Sequence, residues 1–131
     1  MDKFKQVVKR KKISISSEYV DSNPNMSDMP IGSTHHKCTL KKKGKQMTVY
    51  FSQGSGYYGE DPSVFSVLSC LISDAASLNC VSSVSDFADE FGYTYLNAER
   101  IYNSIEKQTE KLERFLGSDF DYFMYEVEND W

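Results

Sequence analysis

The chain has 131 residues, of which 40% are hydrophobic, 26% charged and 14% aromatic, with a net charge of −4. This composition describes one globular domain with a core of its own, and it excludes a disordered tail or a disulfide-dense miniprotein. The charge is split along the chain. Residues 1–50 hold eleven Lys/Arg against four Asp/Glu, and residues 51–131 hold four against fifteen. An asymmetry of this size points to charged binding surfaces rather than a buried reaction centre, because summed fields steer partners.

The N-terminal run MDKFKQVVKRKK is positively charged, but no apolar stretch follows it as in a signal peptide. The longest apolar-rich run, Val64 to Ile72, is too short to cross a bilayer. Cys38, Cys70 and Cys80 cannot all pair, and none lies in a C-x-x-C. They are expected to be reduced, buried thiols in a cytoplasmic protein with no membrane association.

The first half reads as strands. Between Lys12 and Val20, Ile13, Ile15 and Tyr19 alternate with Ser14, Ser16 and Glu18. Asp21 to Gly32 is rich in turn formers and should be a loop. His36, Cys38 and Leu40 then alternate with Lys37, Thr39 and Lys41. After Lys42-Lys43-Gly44-Lys45, the alternation resumes in Met47, Val49 and Phe51. Two alternating runs around a short glycine-containing connection predict a β-hairpin with one apolar face.

The second half reads as helices. Asp61 before Pro62 suggests an N-cap with proline at the first helical position of a helix over 62–77. That helix is apolar nearly all round except for a stripe of Ser63, Ser66, Ser69, Ser73 and Ser77, so it should be central. Ser83-x-x-Asp86 resembles a capping box opening a short helix that closes at Gly92. Asn97 is expected to cap a long helix ending near Leu116 with Gly117 as its C-cap. Its inner stripe would be Ala98, Ile101, Tyr102, Ile105, Thr109, Leu112 and Leu116, with Glu110 and Arg114 paired outside. Ser118-x-x-Asp121 begins a last acidic, aromatic helix containing Phe120, Phe123, Met124 and Val127. The fold class is α+β, a single domain over 1–131. A small antiparallel sheet of about three strands (1–52, mainly β) packs against about four helices (61–131, mainly α).

Gly54-Ser55-Gly56-Tyr57-Tyr58-Gly59 matches G-x-G-x-x-G between a strand and a helix. Glu60 and Asp61 would repel a phosphate there, and the preceding strand belongs to an antiparallel hairpin, so nucleotide binding is not expected. Tyr57 and Tyr58 fit a partner-binding loop better. His35 and His36 are neighbours on a strand and point to opposite faces. With Cys38 they lack a further ligand, and the expectation is no metal and no cofactor. No orienting residue or oxyanion site can be named for a Cys–His pair, so no catalytic residue is assigned and the chain is read as a non-enzyme.

Two charged surfaces remain. Lys41, Lys42, Lys43 and Lys45 at the hairpin tip could grip phosphates, though without an arginine they would not read bases. Asp86, Asp89, Glu90, Asp119, Asp121, Glu126 and Glu128 crowd the helical half and could occupy a basic groove on another protein. As exposed acids, Asp119, Asp121 and Glu126 should be reversible to lysine with the fold intact.

Several segments resemble a family of small proteins encoded by bacteriophages, prophages and other mobile elements. They are Asn23-Pro-x-Met26, the strand pair HKCTLKKKGKQMTVYFSQGS, and Pro62, Val67, Leu68, Cys70, Leu71, Asp74 and Ala75 in the spacing P-x4-V-L-x-C-L-x-x-D-A. Phe91-Gly92-Tyr93 and the closing KLERFLG belong to the same resemblance, which covers about three quarters of the chain from Asn23 to Gly117. It implies a setting in a phage-bearing bacterial cytoplasm. Small acidic proteins of that setting are frequently inhibitors of host defence. The expected function is therefore an anti-CRISPR that binds a CRISPR-Cas effector through the acidic surface. The alternative is a phage accessory protein that binds nucleic acid through its basic first half.

Overall fold

The computed structural model describes residues 2–24, 33–54 and 60–130, and the side chains among them except those of residues 2–4, 7 and 126–130. The elements run α1 (Asp2–Arg10), β1 (Ser14–Val20), β2 (Thr34–Lys42), β3 (Lys45–Gln53), α2 (Val64–Asn79), α3 (Val84–Phe91), α4 (Tyr95–Leu116) and α5 (Asp119–Asp130). The fold is α+β. The strands form one antiparallel meander in the order β1-β2-β3.

The hairpin forms as the alternation predicts. His36, Cys38, Leu40, Met47 and Val49 are buried on one face, whereas Lys37 and Lys41 stand in solvent on the other. Its tip is a two-residue turn, Lys43-Gly44, with both φ angles positive (36° and 77°). This is the backbone twist that tight hairpins require, and glycine supplies half of it without strain.

Two apolar clusters lie along α4. The first joins the inner face of the sheet to α2, α5 and the C-terminal half of α4 through Leu68, Leu112, Leu116 and Phe123. The second joins Phe87 and Ala88 of α3 to Ala98, Ile101 and Ile105. In it the Phe87 ring meets Phe91, Tyr93 and Tyr102 at centroid distances of 4.9, 5.8 and 5.7 Å.

Several local expectations are corrected. The four helices expected in the second half are present, and a fifth not expected, Asp2–Arg10, precedes the sheet. Nine residues are too few to hold a helix in isolation. This one is docked by Val8, which is buried in the first cluster, and by Lys5, whose ammonium lies 4.8 Å from the Phe65 ring centroid. The cap of α2 is Ser63, whose hydroxyl accepts from the Ser66 N–H, so Asp61 and Pro62 precede the helix. Thr94 caps α4 one turn before Asn97. Cys38 is buried as expected, but Cys70 and Cys80 are exposed thiols. Ser83 does cap α3, yet the Asp86 carboxylate accepts from the N–H and hydroxyl of Ser82 rather than from Ser83. The segment 25–32, most of the expected loop, lies outside the described residues.

The inner stripe of α4 takes in Gln108 and Phe115, while Tyr102 and Thr109 are only half-buried. Gln108 earns its place by donating to the Asp74 carboxylate on α2. Burial pushes that carboxyl up to about 6, and the Gln108 hydrogen bond only partly opposes the rise. The folded state therefore holds the Asp74 proton more tightly than the unfolded chain. The resulting stability is complete below about pH 4 and is lost as pH rises through about 6. Asp74→Asn should accordingly melt higher than the parent at neutral pH, by about 1–2 kcal/mol once solvent at the open side of the group is allowed for. The difference should vanish near pH 4, and paired melting curves across that range would measure it.

Candidate functional site

The two charged halves of the sequence meet at the hairpin tip. Lys42 reaches the C-terminus of α4, its Nζ donating to the Leu116 carbonyl and to Asp119 Oδ2, each at 3.2 Å. Lys45 donates to the Arg114 carbonyl at 3.2 Å. Lys11 adds a second cation 3.5 Å from Asp119 Oδ1. These are the carbonyls a helix leaves unpaired at its end, where the backbone dipole also favours cations. Lys42 and Asp119 keep only 14% and 19% of their side-chain surface in solvent. Of the four hairpin lysines, Lys41 and Lys43 stay clear of these bonds and exposed. Together with Lys12 they line a depression of about 320 Å³.

The described acidic residues of the expected surface lie on two helices, at opposite ends of α4. Asp86, Asp89 and Glu90 are exposed on α3, which packs against the first turns of α4. Asp119 and Asp121 belong to α5, which packs against its last turns. From Ile101 to Phe115 is about 20 Å along the helix. Asp121 is exposed, and the side chains of Glu126 and Glu128 lie outside those described. Tyr57 and Tyr58, with the rest of 55–59, also lie outside the described residues.

What surrounds the α3 acids is unexpected. The corner between α3 and α4 exposes Phe91, Tyr95 and Leu96 at 43%, 53% and 81%. Asp89, Glu90 and Glu99 flank them, all exposed. The signal was present in the sequence for Leu96, which falls opposite the stripe that begins at Ala98, whereas Tyr95, three residues before Ala98, lies at the edge of that stripe. It was hidden by starting the helix at Asn97.

A second feature is masked by the net acidity of the second half. Its only four cations are Arg100, Lys107, Lys111 and Arg114, and all sit on α4. Their spacing of seven, four and three residues places them on one helical face. Glu99, Glu106, Glu110 and Glu113 repeat the same spacing one residue earlier, so parallel acidic and basic rows run along the helix. The Arg100 guanidinium donates to the Pro24 carbonyl at 2.6 Å.

The far end of the sheet carries both histidines. His36 is 1% exposed, with Nε2 lying 3.1 Å from the Thr34 hydroxyl and 3.4 Å from Gln53 Nε2. The Gln53 amide also donates to the Glu60 carbonyl at 3.0 Å. An amide nitrogen can only donate, so His36 Nε2 accepts and the ring is neutral. Burial lowers its pKa, with Asp61 opposing and His35 assisting. On the opposite face, His35 Nδ1 lies 2.7 Å from the Ser52 hydroxyl, which accepts from the Asn23 amide at 3.0 Å. Among the described residues, no group of three or more His, Cys, Asp or Glu side chains is arranged to hold a metal ion. Nor is any single helix there long and apolar enough to cross a membrane.

The pairing of Asp119 overturns the expectation that it can be reversed without structural cost. Asp119→Lys should destabilise the protein by about 2–3 kcal/mol, because it sets a third cation beside Lys11 and Lys42. Asp121→Lys, at an exposed position of the same turn, should stay within about 0.5 kcal/mol. Urea denaturation of the two variants would separate them.

No protein-family model matches this chain, and no curated protein and no solved structure matches it.

Proposed function

We propose that this chain is a counter-defence protein of a mobile element, an anti-CRISPR that inhibits a Cas effector by stoichiometric binding. The observation that carries the reading is the α3–α4 corner. Three large apolar side chains stand in water there, beside three carboxylates. Burying a side chain of that size on a partner contributes roughly 1.5–3 kcal/mol, and aromatic anchors commonly dominate interfaces. The Phe91 ring is already held against Phe87, so docking it costs little further ordering. Carboxylates around such anchors complement a basic surface, the kind that nucleic-acid-handling effectors present. The likeness to small phage and mobile-element proteins supplies the biological setting.

Capture of purified Cas effectors on the immobilised chain, with plasmid interference in parallel, tests this reading. Leu96→Asp together with Tyr95→Ala should weaken capture at least about tenfold and restore interference, with an unchanged melting temperature. Absence of capture and of inhibition across the effector types tested would sink the proposal.

A second reading, nucleic-acid binding, is favoured by the depression lined by Lys12, Lys41 and Lys43. Clustered lysines of this kind bind phosphates with a steep dependence on salt. On this reading, a duplex or single-stranded probe should shift in a gel at low ionic strength. Lys41→Ala with Lys43→Ala should remove most of the shift, and moderate salt should do the same. A chain that shifts neither probe at low salt does not act this way.

A further inference from the structure

Among the described residues β3 is an edge strand, paired with β2 on one side only. The two-residue turn makes Lys42 and Lys45 a mutually hydrogen-bonded pair, so alternate residues of β3 face β2. The backbone N–H and C=O groups of Gln46, Thr48 and Tyr50 consequently point outward, and among the described residues they have no backbone partner. The same three residues line a groove between β3 and α4. It is made of two cavities, of about 540 and 180 Å³, that share Thr48 and Lys111. The wall on α4 is the cationic row, with Lys107, Lys111 and Arg114 all lining the groove. Lys45 closes one end through its bond to the Arg114 carbonyl, and Pro24 lines the other.

We propose that this groove takes an acidic, extended peptide segment of a partner protein, which adds to β3 as a fourth strand. Residues 46–50 offer about 14–17 Å of open edge, enough for a strand of about five residues. Main-chain hydrogen bonds to Gln46, Thr48 and Tyr50 would supply affinity, and carboxylates facing Lys107, Lys111 and Arg114 would supply selectivity. A second copy of this chain fits poorly, because pairing β3 with itself brings cation row against cation row. A polynucleotide fits less well than a peptide. An added strand lies about 4.8 Å from β3 and stays over the cations. Among the described residues, Tyr50 is moreover the one tyrosine lining these cavities, whereas base binding uses successive aromatic platforms. The inference goes beyond the function proposed above and does not depend on which protein the chain inhibits.

The test is a fluorescence-anisotropy titration of the full chain against a labelled seven-residue peptide of alternating Glu and Val at low salt. Saturable binding is expected. Methylating one alternate set of peptide amides should abolish binding, while methylating the other set should leave it intact, because only one set faces β3. Lys107→Glu with Lys111→Glu should weaken binding at least about tenfold. The methylation series uses the parent chain, so it decides the matter even if that double variant misfolds. Absence of binding, equal tolerance of both methylation patterns, or displacement of the peptide by oligothymidylate overturns the proposal. So does a sedimenting dimer of the chain that excludes the peptide.

Discussion

The ammonium groups of Lys42 and Lys45, set against the last carbonyls of α4, tie the two halves of this chain together. The hairpin turn carries the lysines, and the helix end supplies acceptors that would otherwise need water. Asp119 completes the arrangement at the start of α5 by accepting from Lys42 and facing Lys11. A helix C-terminus, a helix N-terminus, a hairpin tip and the residue after α1 therefore meet at one corner. Their relative positions follow from it. Because α4 is pinned at the tip of β3, its long axis runs beside the strand, and the cationic row faces the strand edge.

The other end of α4 is free of that constraint and is held by apolar contacts and by the Arg100 bond to the Pro24 carbonyl. Phe87 and its ring neighbours clamp α3 against Ala98, Ile101 and Ile105. α3 therefore caps the bundle about 20 Å from the lysine corner, and the turn into α4 carries Tyr95 and Leu96 outward. The molecule thus has two surfaces of different chemistry on one helix. One is an apolar corner with acidic flanks, suited to a basic partner. The other is a cationic groove beside an open strand edge, suited to an acidic one. A chain of 131 residues can present both because α4, at 22 residues, is long enough to separate them.

Most of the architecture was legible in the sequence, for reasons that differ by element. The alternation through His36, Cys38 and Leu40 has only one solution, since shifting the register by one residue would bury Lys37. Ser83 and Gly92 marked α3 because a hydroxyl cap and a left-handed glycine are local requirements, met within a few residues. α1 carries a helical spacing in Phe4, Val7 and Val8, but nine residues of it do not hold a helix in isolation, and the surrounding lysines read equally as a basic tail. The caps of α2 and α4 were misplaced because several serines, threonines and asparagines competed locally. Packing of the helix body decided which of them served.

By itself the sequence determined the α+β class, the hairpin with its apolar face, and the two-sided charge of the chain. These depend on period and composition, which act over short distances. Only the tertiary structure decided where the charges go. It turned Lys42, Lys45 and Asp119 into struts, divided the acids of α3 from those of α5, and set Lys107, Lys111 and Arg114 beside the β3 edge. Charge is a property of residues, but a charged surface is a property of neighbours. Neighbours separated by more than seventy positions, as Lys42 is from Leu116 and Asp119, become known only when the chain has folded.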